Sequence, residues 1–474
     1  MKSPRVVFGL LLLLLLASRV CHVGILWAEE DLPLAAAVQL LHGKFLYRDF
    51  WFDKPPLTAA VNVLWGAATG WTLRLAGALW VFAACGLIYQ FARKLWGERE
   101  GIIAACALCF FLTFGIPAAV IPLAADLLML VPHLAAVYLA WRGRAFWSGV
   151  AAGVALLFNS KAAFVLAACA LWAPRSIPLL LAGAVLPHAI AAVWFWTQGA
   201  LAAYYEQVWK WGGVYAENTF VENPFVNGIR RTLNWAGFHI ALLAGAFWFW
   251  RRDRSPERWR FAIWAALSLA AVAAGWRFFP RYYFQLLPVM VLAGARGFQM
   301  LGRKGRLAVL VLLLIPIARF GPRYVQLAQD LTMGRSDAWA DVDMNSDSKE
   351  ASAMLSGMAR PGDTLFVWGF RPDLFAYTRL PAGTRFLESQ PLTGVFADRH
   401  LGQSAPLEPE WTRRNRLELT RSHPAFIADG LSLFNPALAM DKYAELRPWL
   451  AGYEEVARSR YTTIYKLRSA SARR

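Results

Sequence analysis

Charged residues are scarce in this sequence of 474 residues. Only 17% are Asp, Glu, Lys or Arg, whereas a soluble protein typically contains about 25%. Over residues 1–320, long uncharged runs alternate with short basic clusters, and 58% of the whole chain is hydrophobic. This composition excludes a disordered chain and an ordinary cytosolic enzyme, and it indicates a polytopic membrane protein.

Cysteine is also rare, with five in the chain. All of them lie in apolar segments before residue 170: Cys21, Cys85, Cys106, Cys109 and Cys169. Neither their number nor their spacing is typical of a disulfide scaffold, a zinc ribbon or a haem site.

Acidic residues are fewer than basic ones, and the net charge is +18. In a soluble protein this excess would suggest nucleic acid, but Lys and Arg also collect in the cytoplasmic loops of membrane proteins. Outside the predicted loops, the sequence shows no basic stripe with interleaved aromatic residues. We therefore expect no nucleic-acid partner and take the bilayer as the first partner of the chain.

A membrane-spanning helix needs about 20 apolar residues. The sequence predicts about 11 transmembrane helices, at 6–26, 71–92, 101–118, 123–141, 146–158, 162–174, 176–197, 233–250, 261–276, 283–299 and 307–320. The two around Ser160 are short for separate crossings. The first resembles the core of a signal peptide, but Ala17-Ser18-Arg19 is a poor cleavage site and apolar character continues to Trp27, which favours an uncleaved span.

The basic clusters predict the orientation of these spans. With Lys2 and Arg5 inside, eleven crossings also place five further basic clusters on the cytoplasmic face, in agreement with the positive-inside rule. These clusters are Arg93/Lys94, Arg142/Arg144, Arg175, Arg251/Arg252/Arg254 and Arg303/Lys304/Arg306. The opposite face then holds a large first outer loop (27–70) and everything after 321. We predict a multi-pass protein of the cell inner (plasma) membrane, with a transmembrane domain at 1–322 and a soluble extracytoplasmic domain at 323–474.

The C-terminal segment regains charge and alternates between helix and strand patterns. Helices are predicted at 348–358 and 408–421, buried strands at 364–368 and 425–429, and a final strand pair within 451–467. About 150 residues can bury a core of their own. This segment is therefore predicted to be an α/β domain.

Three acids, Glu29, Glu30 and Asp31, follow the first span directly. A carboxylate at the edge of the bilayer can serve as a general base, although such acids can also flank the membrane or cap the next helix. Further along the loop, Asp53-Lys54-Pro55-Pro56 places a carboxylate and an ammonium before two prolines that fix the backbone. With Arg48 and its aromatic neighbours, this loop suits a ligand with an anionic headgroup and an apolar tail, or else an interfacial aromatic belt.

Other polar residues fall at the outer ends of the spans. Ionisable groups at such positions are costly, and they either line a functional cavity or form structural pairs. The candidates are Asp126, Lys161, Arg277, Arg281 and Tyr282. In the fourth outer loop, Glu206, Trp209, Trp211, Tyr215 and Glu217 either cover a substrate or rest on the bilayer, and we favour the bilayer.

The segment Tyr47-Arg-Asp-Phe-Trp-Phe-Asp-Lys-Pro-Pro-Leu57, following a pair of acids after the first span, resembles the protein O-mannosyltransferase and aminoarabinose transferase superfamily. These are glycosyltransferase family 39-like enzymes of the GT-C fold. Weaker likenesses follow in the same order along the chain, at Asp126, Phe158–Lys161, Phe279–Pro288 and Pro361-Gly-Asp. The expected fold class is therefore a polytopic α-helical membrane protein of GT-C type with a C-terminal extracytoplasmic α/β domain.

The resemblance implies a glycosyltransferase of the cell envelope that transfers a sugar from a polyprenyl-phosphate donor to an acceptor protein, lipid or glycan. The acidic pair of the family matches Glu29-Glu30, with Glu in place of the usual Asp, or Glu30-Asp31 if the match slides by one residue. Asp53 and Lys54 match an element that contacts the donor and, in some members, a divalent metal (Mg, Mn or Zn). Phosphate contacts are expected from Arg48, Lys54, Lys161, Arg277 and Arg281.

The residues themselves leave other functional classes open. A transporter or flippase of a polyprenyl-linked or anionic substrate would also have many spans and buried charges, but it would place paired charges near the midplane of the bilayer. A non-catalytic scaffold that binds a partner through its outer domain is a third class. The crowding of candidate residues on one face favours the enzyme.

Overall fold

A computed structural model describes residues 3–219, 221–334, 340–396 and 406–468. The α-helices of the N-terminal two thirds are α1 Pro4–Val20, α2 Ala28–Leu41, α3 Leu57–Val63, α4 Trp71–Leu95, α5 Glu98–Phe111, α6 Pro117–Val120, α7 Ala125–Leu128, α8 Leu130–Trp141, α9 Ala145–Phe158, α10 Ala163–Ala170, α11 Ile177–Thr197, α12 Leu201–Tyr204, α13 Trp211–Glu217, α14 Pro224–Phe238, α15 Ile240–Arg252, α16 Glu257–Ala273, α17 Leu287–Met300, α18 Arg303–Leu312 and α19 Leu314–Met333. Shorter 3₁₀ segments occupy Ser160–Ala162, Pro174–Ser176 and Pro280–Gln285, and Tyr205–Lys210 forms a π-helix.

Within the described ranges, three continuous helices are long and apolar enough to cross a membrane: Trp71–Leu95, Pro174–Thr197 and Arg303–Met333. Shorter apolar helices occupy Ala125–Trp141, Ala145–Phe158 and Ser160–Ala170. Other predicted spans are not continuous helices in the structure, because short interruptions divide them into separate helices. For example, His239 separates α14 from α15 within the predicted span 233–250. The helical membrane architecture agrees with the sequence, while the number of eleven crossings stays a prediction.

The C-terminal region is built around a four-stranded sheet. Its helices are α20 Ala340–Met358, α21 Asp373–Thr378, α22 Gln390–Thr393, α23 Pro409–Leu419 and α24 Arg447–Leu450, with 3₁₀ turns at Pro436–Leu438 and Met440–Lys442. The strands are β1 Leu365–Trp368, β2 Phe426–Asp429, β3 Tyr453–Arg458 and β4 Thr463–Leu467, in the order β1-β2-β4-β3. β1 and β2 are parallel and fully buried, as their continuous apolar sequences predict, while β3 and β4 form an antiparallel hairpin.

The first outer loop contains two helices, α2 and α3, that were not predicted from the sequence. The three acids form the first turn of α2, where carboxylates interact favourably with the helix dipole. After α2, the chain turns back through Tyr47, which has a left-handed φ of +67° and donates a 2.9 Å hydrogen bond to the carbonyl of Lys54. This bond closes the loop around the Asp53-Lys54-Pro55-Pro56 element.

Close packing of α15 against α17 fixes the position of the segment Pro280–Gln285, which directly precedes α17. A Cβ added at Gly297 would lie 1.8 Å from the carbonyl oxygen of Gly245, so the two backbones touch at this point. α17 follows directly on Pro280–Gln285, which carries Arg281 and Tyr282. Glycine is needed here because any side chain would push the two helices apart.

We therefore expect Gly297→Ala to lower the free energy of unfolding by about 1–3 kcal/mol, the usual cost of overpacking. The measurement is thermal unfolding of the purified protein in lipid. Gly86→Ala on α4 is the matched control, because a Cβ added at Gly86 meets nothing within 4 Å. Equal melting temperatures for Gly297→Ala and Gly86→Ala would contradict this packing.

Candidate active site

An open cavity of about 330 Å3 lies at one end of the helices, beside the first outer loop. Eight of the eleven sequence-predicted site residues line it: Glu29, Asp53, Lys54, Asp126, Lys161, Arg277, Arg281 and Tyr282. They come from five separate parts of the chain, and their shared position was predicted from the sidedness of the spans alone. The other three predicted residues, Glu30, Asp31 and Arg48, do not line this cavity.

Arg281 joins two carboxylates of the cavity. Its guanidinium lies 2.9 Å from Glu29 Oε1 and 3.3 Å from Asp126 Oδ2. Although burial opposes its charge, the neighbouring Glu29 and Asp126 carboxylates raise the pKa of Arg281, so it is a permanent cation. Asn159 donates a 2.8 Å hydrogen bond to the other oxygen of Asp126, and this holds the carboxylate toward Arg281.

Lys161 lies in the turn between α9 and α10 and directs its ammonium at the face of Tyr282, 3.2 Å from the ring centroid. Its Nζ is buried and has no hydrogen-bond partner among the described residues. Burial lowers the pKa of Lys161 to about 7, even though the Asp126 carboxylate favours the charged form. A buried ammonium without a hydrogen-bond acceptor is a natural binding point for an anion.

Asp53 and Lys54 form an ion pair at the opposite wall, with Nζ 3.1 Å from Asp53 Oδ2. The second oxygen of Asp53, Oδ1, is buried and accepts no hydrogen bond from the described residues. The two prolines that follow lie directly before α3, with Pro56 as its N-cap, and they prevent the helix from extending back through the pair. Both side chains therefore stay at the cavity.

An unusual backbone conformation presents Arg277 to the cavity. Trp276 and Phe278, on either side of it, have φ values of +57° and +50°, and Gly275 has +81°. The left-handed region is rare for bulky residues, and such strain is typical of functional loops. The Arg277 guanidinium stacks 3.6 Å from the ring centroid of Tyr215 and donates a 2.5 Å hydrogen bond to the carbonyl of Asn218.

Glu30 points away from the cavity and has a structural partner. Its carboxylate makes two bonds to Arg74, of 2.6 and 2.9 Å, and accepts hydrogen bonds from the backbone N–H groups of Trp27 and Leu123. Both side chains of the pair are 1% exposed. Glu30 thus fastens the start of α2 to α4 and to the chain that leads into Asp126.

Asp31 is also buried and lies outside the cavity. Arg48 is exposed, pairs with its neighbour Asp49 at 2.8 Å, and contacts the carbonyl of Gln198 at 3.4 Å. Of the three consecutive acids, the structure therefore brings Glu29 alone to the cavity.

The fourth outer loop covers the cavity rather than only resting on the bilayer. Trp211 and Tyr215 line its wall, so the preference for the bilayer is wrong for these two residues. Gln207, which has no motif to mark it, fastens this loop to the first one: its amide accepts from the N–H of Phe52 and donates to the carbonyl of Tyr47, both at 2.8 Å. Its polarity within an aromatic segment was the only sequence signal.

Protein ligands for a metal ion are scarce among the described residues of the cavity. Among the residues that the structure describes, no group of three His, Cys, Asp or Glu side chains is placed to hold an ion. Glu29, Asp53 and Asp126 each pair with a Lys or Arg, and the free Asp53 Oδ1 would be a single protein ligand. The cavity is better suited to an anion, and a metal on Asp53 stays an untested prediction.

The architecture defines a class: it is the GT-C fold of membrane glycosyltransferases, and this prediction is confirmed. Among solved structures, the chain is similar to ArnT from Cupriavidus metallidurans bound to undecaprenyl phosphate, with a TM-score of 0.63, 16% identity and 98% of each chain covered. The apo state of the same protein gives a TM-score of 0.59, 16% identity and coverage of 94% of this chain and 95% of that one.

A second similar structure is the arabinofuranosyltransferase AftD from Mycobacteria, with a TM-score of 0.51 and 14% identity. The match covers 99% of this chain but 42% of AftD, so this chain spans less than half of that protein. No protein-family model and no curated protein matches the sequence. At these identities the likeness establishes the fold.

Proposed function

We propose that this protein is a membrane glycosyltransferase that transfers a sugar from a polyprenyl-phosphate-linked donor to an acceptor hydroxyl on the extracytoplasmic face. One observation carries the proposal: Lys54, Lys161, Arg277 and Arg281 surround a single cavity that also holds the partly exposed Glu29 carboxylate. Four cations at one opening match a phosphate group. The ArnT structure that shares the fold was determined with undecaprenyl phosphate.

The reaction follows from the chemistry of these side chains. The acceptor oxygen attacks the anomeric carbon of the donor, the bond from that carbon to the phosphate oxygen breaks, and polyprenyl phosphate leaves with the bonding electrons. Lys161 and Arg277 stabilise the charge that develops on the departing phosphate. A direct displacement of this kind inverts the anomeric configuration.

Glu29 is the proposed general base that takes the proton of the acceptor hydroxyl. It lines the cavity, and its pairing with Arg281 at 2.9 Å orients it. Glu30 is unsuited to this role because two cationic N–H groups and two backbone N–H groups occupy its oxygens. Asp53 Oδ1, which has no hydrogen-bond partner among the described residues, is available to accept a hydrogen bond from a hydroxyl of the bound sugar.

A transporter is less well supported by this arrangement. A transport site needs charges near the middle of the bilayer with access from both sides. The cavity instead lies at one end of the helices, beside the first outer loop, and the C-terminal region contacts one of its lining residues, Tyr215, through Phe396. Assignment of this end to the outer face of the inner membrane rests on the basic clusters of the sequence.

The test is turnover by the purified chain in lipid nanodiscs. The protein is mixed with undecaprenyl-phosphate sugars and a lipid extract as acceptor, and free undecaprenyl phosphate is measured by mass spectrometry. We expect release by the wild type and at least a tenfold lower rate for Lys54→Ala, since one phosphate contact is lost. Lys210→Ala is the matched control, because Lys210 is an exposed lysine of the fourth outer loop that does not line the cavity.

Equal rates for Lys54→Ala and Lys210→Ala would contradict the proposed donor site. Movement of the intact donor between leaflets without loss of its sugar would favour the transporter instead.

A further inference from the structure

Part of the cavity wall is formed by α13, which packs against residues of the C-terminal region. Tyr215 of α13 lies against the Arg277 guanidinium at 3.6 Å and 5.8 Å from Lys54 Nζ. One aromatic ring thus contacts two of the four cations. A shift of that ring would change its contacts with both cations.

Four aromatic side chains, here called the aromatic bridge, hold α13 in place: Trp51, Trp211, Phe396 and Trp411. Trp211 packs at 5.9 Å from Trp51, 5.4 Å from Phe396 and 4.7 Å from Trp411, measured between ring centroids. Phe396 also meets Tyr215 edge-on at 4.7 Å. Trp51, Trp211 and Phe396 are 5–6% exposed, so the bridge is a packed core and not a loose surface contact.

The bridge joins three parts of the chain that are distant in sequence. Trp51 belongs to the first outer loop, two residues before Asp53, and its backbone N–H donates a 2.7 Å hydrogen bond to the carbonyl of Arg385. Phe396 and Trp411 belong to the C-terminal region, on either side of the undescribed residues 397–405. Both cationic walls of the cavity, at Lys54 and at Arg277, therefore rest on the same C-terminal contacts.

We propose that the C-terminal region completes the donor site, and that Phe396 and Trp411 are positioning residues that set the spacing of Lys54 and Arg277 through Trp211 and Tyr215. This inference rests on the proposed function and gives the C-terminal region a defined part in it. Phe396 does not touch the donor in this scheme. It acts on Arg277 both through Tyr215, which packs on Arg277, and through its own ring, whose centroid lies 5.8 Å from the Arg277 guanidinium.

The structure offers a matched pair of variants, Phe396→Leu and Phe366→Leu. Both remove a buried aromatic ring from the same apolar cluster. Phe366, however, is 0% exposed and packs on Trp368 and Trp449, away from the cavity. A merely structural effect would therefore be at least as large for Phe366→Leu.

The experiment measures three quantities for each variant in nanodiscs: KM for the undecaprenyl-phosphate donor, Kd for undecaprenyl phosphate alone, and melting temperature. For Phe396→Leu we expect KM and Kd to rise about 2- to 12-fold, the effect of one aromatic pair, with a smaller change in kcat. Phe396→Tyr should restore both constants, because it keeps the ring. Phe366→Leu should lower the melting temperature and leave both constants unchanged.

Equal donor KM and Kd in Phe396→Leu and the wild type would overturn the inference, as would parallel changes in Phe366→Leu. If Phe396→Leu does not fold, Trp411→Leu replaces it, because Trp411 is only half-buried. Failure of the proposed function looks different: the wild type itself would neither bind undecaprenyl phosphate nor release it from a donor.

Discussion

Replacing Glu29 with glutamine is expected to lower kcat/KM for sugar transfer by about 10²- to 10⁴-fold, the usual contribution of a positioned general base. The amide keeps nearly the same shape but cannot take the proton of the acceptor hydroxyl. Arg281 keeps its second carboxylate, Asp126 at 3.3 Å, so we expect the cavity to remain assembled. Initial rates of undecaprenyl phosphate release, normalised to folded protein, give the measurement.

The substitution Glu30→Gln, at the next residue, serves as a comparison because it tests a structural role and not a catalytic one. Because Glu30 forms a buried pair with Arg74 at 2.6 Å, the substitution leaves Arg74 as an uncompensated buried cation. Breaking one side of a buried ion pair typically costs about 3–5 kcal/mol of stability. We expect Glu30→Gln to unfold at a lower temperature while the molecules that remain folded retain turnover. Normal turnover by Glu29→Gln would contradict the proposal that Glu29 is the general base.

Lys161 is expected to impose a pH dependence on donor capture. The group binds phosphate when protonated, and burial lowers its pKa to about 7. As pH rises through 7, the free enzyme loses this charge, so kcat/KM for the donor should fall. A full unit or more below pH 7 the ammonium is almost completely charged, and this loss is absent. Lys161→Arg should abolish the fall, because a guanidinium keeps its charge throughout this range.

Lys161→Ala is expected to lower kcat/KM for the donor by about 30-fold or more at pH 6, since removing one partner of a buried charge pair costs about 2–5 kcal/mol. At pH 8.5 the deficit should shrink, because most of the wild-type lysine is then neutral. The measurement is a set of pH profiles for the wild type, Lys161→Ala and Lys161→Arg. Superimposable wild-type and Lys161→Arg profiles across pH 6–8.5 would show that Lys161 is not the titrating group.

The sequence was sufficient to bring eight of the eleven predicted site residues to one cavity, because the sidedness of the spans applies to the whole chain. Once the basic clusters orient the spans, Asp126, Lys161 and Arg281 all fall at the same end of the bundle, although they are far apart in the chain. The buried strands β1 and β2 were equally readable from their continuous apolar runs.

The sequence did not allow us to predict which of the three consecutive acids faces the cavity. Neighbouring residues on a helix point about 100° apart, so the choice depends on the rotation of α2. That rotation is fixed by Arg74, 44 residues beyond Glu30 in the chain. The left-handed conformations of Trp276 and Phe278 likewise come from tertiary packing, since neither residue favours them.

The fourth outer loop shows a different reason for failure. Tryptophan and tyrosine are enriched both at the bilayer surface and in packed contacts, so their presence does not separate the two environments. Contacts of Trp211 with Phe396 and Trp411 of the C-terminal region decide the matter. Sequence periodicity gives no information on contacts between residues about 200 positions apart, such as Trp211 and Trp411.

The most direct test of the central claim is binding of undecaprenyl phosphate without any sugar, because it depends on neither the donor sugar nor the acceptor. The purified wild type in nanodiscs is titrated with undecaprenyl phosphate and, in parallel, with undecaprenol, which lacks the phosphate. The account predicts saturable binding of the phosphate form that is at least tenfold tighter than that of the alcohol, and loss of this difference in the Lys161→Ala, Arg277→Ala double variant. Equal affinity for the two lipids, or an undiminished preference in the double variant, would contradict it.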